Sequence, residues 1–192
     1  AAQPRAESHQ PLCVITGAAE GIGKALAYRF GRAGYRIVGI DVNGEQAMHT
    51  LTELEMANIS ASFIIANLMT DEGLQEVRAG LEDCAAIDVL IHNAGISAVG
   101  RFGDQEFAAQ QAVLDVNLRA PLRITADLLA TSCLRSAGSI IFISSLSHYV
   151  SYPGAAVYAA SKDGLASFSR SLRAAFGGDP HVMTVFPGPT RT

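Results

Sequence analysis

A chain of 192 residues with 49% hydrophobic and 17% charged side chains carries enough apolar content to bury the core of one α/β domain. A formal net charge of −4 and a pI near 5.7 exclude a broadly basic nucleic-acid surface. No apolar run approaches bilayer length, and Cys13, Cys84 and Cys133 follow neither a CxxC nor a metal-ligand pattern, so they suit reduced thiols in a cytoplasmic protein.

Residues 1–10, "AAQPRAESHQ", are polar, lack a signal-like apolar stretch, and are expected to form a flexible arm before a single domain over 11–192. "LCVIT" (12–16) opens a series of short β-branched runs, followed by "RIVGID" (36–41), "SFIIAN" (62–67), "DVLIHN" (88–93), "SIIFIS" (139–144) and "VMTVFP" (182–187). Each is nearly continuous in apolar residues, as strands covered on both faces require. Between them the pattern predicts helices over 21–33, 43–57, 70–82, 104–133 and 153–176, with Asn43, Thr70 and Asp104 as N-caps. Strand–helix alternation of this kind predicts a doubly wound parallel sheet of the Rossmann type, with helices on both faces. Pro121 falls inside the 104–133 helix and predicts an irregularity there.

Gly17, Gly21 and Gly23 lie where the first strand passes into the first helix, in "VITGAAEGIGKALA". Glycines at such a junction permit a tight turn and let helix N-terminal N–H groups approach a pyrophosphate. Asp41 ends the second strand, 18 residues after Gly23, about where a carboxylate accepts from an adenosine ribose 2′-OH. A carboxylate there repels a 2′-phosphate and favours NAD over NADP, unless Lys24, Arg36 or another cation folds over it. A helix-preceding cap is the plainer role for the same aspartate.

The chain has 12 arginines but two lysines, and one of these, Lys162, stands four residues after Tyr158. Residues four apart share a helix face, and an ammonium beside a phenol stabilises its phenolate form, suiting it to proton transfer near neutral pH. A solvated helix face would produce the same spacing.

Six motifs occur in order: "TGAAEGIG" (16–23), "HNAG" (92–95), "VNL" (116–118), "ISS" (143–145), "YAASK" (158–162) and "PGPTRT" (187–192). On these the sequence resembles the short-chain dehydrogenase/reductase family in its single-domain form, from Leu12 to Thr192. His92 replaces the first asparagine of the N-N-A-G pattern, and Asn67 stands where an aspartate usually receives the adenine amino group. The resemblance implies a catalytic set of Tyr158, Lys162, Ser145 and Asn117, with Ser144 the competitor for the serine. It further implies cofactor contacts from Gly17, Glu20, Gly21, Ile22 and Gly23, from Asp41, Asn67 and Leu68, and from Asn93, Ala94 and Gly95. Tyr158, Lys162, Pro187, Gly188 and Thr192 complete that set. Ser147, His148, Tyr149 and Tyr152 are candidates to line a substrate pocket.

The implied reaction interconverts a small-molecule secondary alcohol and a ketone with NAD(H), in a homodimer or homotetramer joined through helices 104–133 and 153–176, with neither nucleic acid nor membrane as partner. Family members continue into a substrate lid and a last strand, so a chain ending after its sixth strand at Thr192 is expected to lack both. A dinucleotide-binding protein with little turnover is the alternative, and an NAD-using epimerase or dehydratase a third.

Overall fold

The computed structural model describes residues 10–82, 84, 86–150 and 153–190. In chain order these form β1 (Leu12–Thr16), α1 (Gly21–Arg32), β2 (Arg36–Asp41), α2 (Gly44–Met56), β3 (Ala61–Ile65) and α3 (Asp71–Glu82). They continue as β4 (Ile87–His92), α4 (Phe107–Leu114), α5 (Ala120–Ala130), β5 (Leu134–Ile143), α6 (Ala156–Phe176) and β6 (His181–Val185). All neighbouring strands are parallel, in the order β3-β2-β1-β4-β5-β6.

Alternation along each central strand divides the core between two faces. Leu12 and Val14 of β1 pack with Leu74, Val77 and Leu81 of α3, Ile124 and Leu128 of α5, and Leu165 of α6. Their neighbours Cys13 and Ile15 pack with Ala27 of α1 and Leu54 of α2 on the opposite face. This two-sided burial is why β1 is apolar throughout, with every residue buried. The edge strand β3 is covered only in part, Ile64 packing on one core and Ala61 and Phe63 on the other, and none of its five residues is fully buried.

Strand order reverses between β1 and β4, so their connections leave in opposite directions and open a crevice beyond the carboxyl ends of the strands. The glycine turn after β1 and the "HNAG" segment at the end of β4 both face that crevice.

Three local expectations are corrected. Asp104 caps no long helix; it ends a short 3₁₀ turn at Phe102–Asp104, and α4 starts at Phe107 with Glu106 at its N-cap position. The expected 104–133 helix is divided by a π-helical turn at Asp115–Arg119, immediately before Pro121. A proline N cannot complete the α-helical bond to the carbonyl of Asn117, and the wider turn absorbs the mismatch. β5 begins at Leu134 rather than 139: Ile87 pairs with Leu134 and Val89 with Ser139, so the polar stretch between forms an irregular step. Asn43 and Thr70 do cap their helices, accepting from Gln46 N at 3.1 Å and Gly73 N at 3.1 Å. Residues 1–9, Tyr152 and Thr192 lie outside the described residues.

Candidate active site

The turn between β1 and α1 is built by close backbone approach. Gly17 has φ +64°, and a Cβ there would stand 2.9 Å from Ala94 Cα. A Cβ on Gly23 would fall 1.9 Å from Gly17 O, a contact no backbone tolerates. Gly21, at φ +53°, opens α1 after Glu20, which is exposed and makes no side-chain cap bond. The first N–H groups of α1, from Gly21, Ile22 and Gly23, therefore have no carboxylate cap. A bare helix N-terminus beneath a turn whose glycines and buried alanines keep the backbone open is what a pyrophosphate requires, so these residues fit a dinucleotide.

Asn93 and Ala94 brace this turn. Asn93 Nδ2 donates to Thr16 O at 3.0 Å and Gly17 O at 2.9 Å, while Asn93 N and Ala94 N both donate to Thr16 Oγ1 at 3.0 Å. The Asn93 side chain thus spends its amide nitrogen on the backbone of the glycine turn. Asp41 Oδ2 accepts from Ala19 N at 2.9 Å and its Oδ1 from Asn43 N at 3.1 Å, tying the glycine turn to the end of β2.

After β3, Asn67 Oδ1 accepts from Met69 N at 3.0 Å, and Leu68 is turned into the core. Leu68 can contribute backbone, not side chain, to the crevice. On the other side Pro187 O accepts from Leu146 N at 3.2 Å, which places Pro187 and Gly188 beside the segment that follows Ser145.

The chemistry-bearing groups converge around Lys162. Its Nζ donates to Ile143 O at 2.9 Å and lies 5.8 Å from the Tyr158 ring centroid. Burial pushes the Lys162 ammonium down to about 8 from the ordinary 10.5. A Cβ on Gly95 would come within 3.2 Å of that Nζ and 3.4 Å of Asn117 Oδ1, so a side chain there would crowd the point where these elements meet.

Asn117 lies in the π turn and is fully buried. Its Oδ1 accepts from Ile96 N at 2.8 Å, and its Nδ2 donates to Ile96 O at 2.9 Å and Ser161 Oγ at 3.1 Å. The side chain is consumed as a clamp between the loop after β4 and α6. Ser144 Oγ donates to Lys162 O at 3.0 Å, whereas Ser145 is half-buried and its Oγ accepts from Ser147 N at 3.1 Å. That bond leaves the Ser145 hydroxyl hydrogen to donate elsewhere.

His92 does not resemble an asparagine in its interactions. It is buried, pairs its Nε2 with Thr125 Oγ1 at 2.9 Å, and stacks on Phe142 at 5.0 Å. Burial pushes its pKa down to about 3, so the ring is neutral and belongs to the core.

Three supporting residues were not singled out from sequence. Thr16 is the double acceptor already described; Thr50 Oγ1 donates to Ala19 O at 2.6 Å; Ser161 Oγ donates to Tyr158 O at 2.7 Å. Thr16 and Ser161 lie inside quoted motifs, but Thr50 sits mid-helix with no local signal. Among the described residues no helix is long and apolar enough to cross a membrane, and no cluster of His, Cys, Asp or Glu could hold a metal ion.

The model of the short chain dehydrogenase family matches residues 12–192. The chain is 33% identical over 184 residues to 11-beta-hydroxysteroid dehydrogenase-like 6 of Arabidopsis thaliana, covering 92% of this chain and 52% of that protein. It is 32% identical over 183 residues to serine 3-dehydrogenase of Agrobacterium fabrum, covering 93% and 72%. Several curated relatives are matched over only 52% to 58% of their length, so the chain spans little more than half of them.

Among solved structures, a blue fluorescent protein from a metagenomic library in complex with NADPH superposes with a TM-score of 0.86 at 29% identity, over 95% of this chain and 75% of that one. The bulky-bulky ketone specific alcohol dehydrogenase from Comamonas testosteroni gives 0.85 at 29% identity, over 94% and 73%.

Proposed function

Because this chain belongs to the short-chain dehydrogenase/reductase family, we propose that it carries the catalytic half-site of an NAD(H)-linked oxidoreductase interconverting a secondary alcohol and a ketone. The observation that carries this is a buried lysine held against the Tyr158 ring beneath Gly95. A bound nicotinamide dinucleotide would supply the hydride acceptor or donor.

The chain's own groups supply the proton and the positioning. In the oxidative direction Tyr158 takes the alcohol proton as a phenolate, whose charge the Lys162 ammonium stabilises. Ser145 donates its free hydroxyl hydrogen to the substrate oxygen. Asn117 supports the proton relay through its main chain: its amide is engaged with Ile96 and Ser161, while Pro121 withdraws the α-helical donor from its carbonyl. Gly17, Gly21, Ile22 and Gly23 hold the pyrophosphate; Asp41 and the segment from Asn67 hold the adenosine end; Gly95, Lys162, Pro187 and Gly188 flank the nicotinamide end.

Preference for NAD(H) is supported by charge. Asp41 and the exposed Glu20 both flank Ala19, whereas Lys24 is drawn to Glu53 at 2.6 Å. Arg36 pairs in register with Leu12 at the opposite end of β2, roughly 16 Å from Asp41 at the usual strand rise. Among the described residues, a 2′-phosphate would therefore meet carboxylates without a fixed cation.

Tyr158→Phe tests the assignment of roles. The variant is expected to bind NADH as the wild type does, by fluorescence titration, and to lose at least about a thousandfold in kcat/KM on any alcohol or ketone found to turn over. Full activity in Tyr158→Phe would refute the acid–base role.

A further inference from the structure

Two carbonyl oxygens of the glycine turn are engaged by side chains from different elements. Gly17 O accepts from Asn93 Nδ2 at 2.9 Å, and Ala19 O accepts from Thr50 Oγ1 of α2 at 2.6 Å. Thr50 is fully buried, so the Ala19 carbonyl points into the interior. A mid-helix threonine can return its hydroxyl to the carbonyl four residues earlier, as the exposed Thr52 does to Met48 O at 3.0 Å. Thr50 instead reaches 31 residues back along the chain. Gln46, one helical turn earlier, adds a longer bond from Nε2 to the same oxygen at 3.4 Å.

Ala19 is thereby held through both of its backbone groups. Its N–H donates to Asp41 Oδ2 at 2.9 Å, and its C=O accepts from Thr50. The peptide joining it to Glu20 is trans, and in a trans peptide the oxygen and the hydrogen point in opposite directions. With Ala19 O drawn toward α2, the Glu20 N–H faces away from that helix. Glu20 itself is exposed and extended, at φ −149° and ψ 178°.

Among the described residues, no acceptor takes a hydrogen bond from the N–H of Glu20, Gly21, Ile22 or Gly23. Four successive free donors, with the Gly17 and Ala19 carbonyls engaged elsewhere, give the turn the polarity an anion needs. A carbonyl rotated to the donors' side would set a partial negative charge against a phosphate.

We propose that Thr50 is a positioning residue of the dinucleotide site. Its hydroxyl pins the Ala19 carbonyl away from the bound diphosphate and so aims the Glu20 N–H at it. This rests on the reading of the glycine turn as the pyrophosphate site. Thr50 touches neither cofactor nor substrate; it acts through one peptide group. A threonine that only stabilised the fold would leave the affinity of the folded protein for a diphosphate unchanged.

The test is calorimetric titration of the whole chain with ADP, as the diphosphate probe, and with NADH. Thr50→Val keeps the shape and removes the donor, and Thr50→Ala is a second variant without it. Each should weaken both ligands about tenfold, whereas Thr50→Ser, which keeps the hydroxyl, should stay within about threefold of the wild type. Leu54→Val serves as the control, since Leu54 is fully buried on the same helix and holds no part of the turn. It should lower the melting temperature yet leave both affinities within about twofold. In two-dimensional NMR, ADP should shift the Glu20 amide of the wild type and shift it less in Thr50→Val at saturation.

Wild-type affinity in the folded Thr50→Val or Thr50→Ala protein, an equal loss in Thr50→Ser or in Leu54→Val, or a Glu20 amide that ADP leaves in place would each overturn the proposal. These outcomes leave the dinucleotide reading standing as long as the wild type binds NADH. A wild type that binds neither ADP nor NADH would overturn that reading and the role of Thr50 together.

Discussion

Lys162 should destabilise the folded chain at neutral pH, and replacing it with methionine exposes the effect. Its ammonium is pushed by burial to about 8, against 10.5 in an unfolded chain. A difference of roughly 2.5 pKa units at 1.36 kcal/mol per unit corresponds to about 3 kcal/mol. The sign follows from proton binding: between these two values the unfolded chain holds the proton and the folded chain does not, so stability rises with pH across that window. Below pH 8 the full penalty is present; above 10.5 it is gone.

Lys162→Met removes the charge while keeping much of the apolar stem, but it leaves Ile143 O without the donor now at 2.9 Å. An orphaned buried carbonyl costs about 1–3 kcal/mol. The variant should therefore equal the wild type at pH 7 or exceed it by up to about 2 kcal/mol, although inactive. Between pH 7 and pH 10 the wild type should gain about 2–3 kcal/mol relative to the variant. Urea unfolding followed by circular dichroism at pH 7, 8.5 and 10 measures this difference. A wild-type-minus-variant difference that stays flat across that range would refute the burial argument for Lys162.

Gly23→Ala places a methyl 1.9 Å from Gly17 O, so NADH binding in a fluorescence titration should fall at least a hundredfold, with about 1–3 kcal/mol lost from overpacking. Asn117→Ala removes three hydrogen bonds that hold Ile96 and Ser161; chemical denaturation should show a loss of about 2–4 kcal/mol, and a loss below about 1 would contradict the clamp. Asp41→Ala should lower the ratio of NADH to NADPH affinity at least tenfold, whereas tighter NADPH binding by the wild type would overturn the charge argument.

Strand positions are legible in this sequence because two-sided burial leaves continuous apolar runs, and β1 and β2 match those runs residue for residue. The start of β5 is not legible, since Arg135 to Gly138 are polar or small and pair only through an irregular step. In the site, residue types that carry their own chemistry can be read: a scarce lysine after a tyrosine, glycines at a strand–helix junction, and an aspartate ending β2.

Partners are harder to read. Nothing local says that Asn117 spends its amide on Ile96, 21 residues away, or that Thr50 reaches back across 31 residues to Ala19. Those bonds exist only once the sheet order brings distant loops together. Asp104 shows the converse failure: a good capping residue stands near a helix start, but the chain uses it in a 3₁₀ turn and begins α4 three residues later.

The π turn before Pro121 acts as a phase offset between two rods. A π turn contains one residue more than the α turn it replaces, which is about 100° of rotation about the helix axis. Straightening it would require either deleting a residue or turning α4 by that angle against α6, and Asn117, which now bridges Ile96 and Ser161, would swing off both. The missing hydrogen on one proline nitrogen thus sets which side of a helix faces the site.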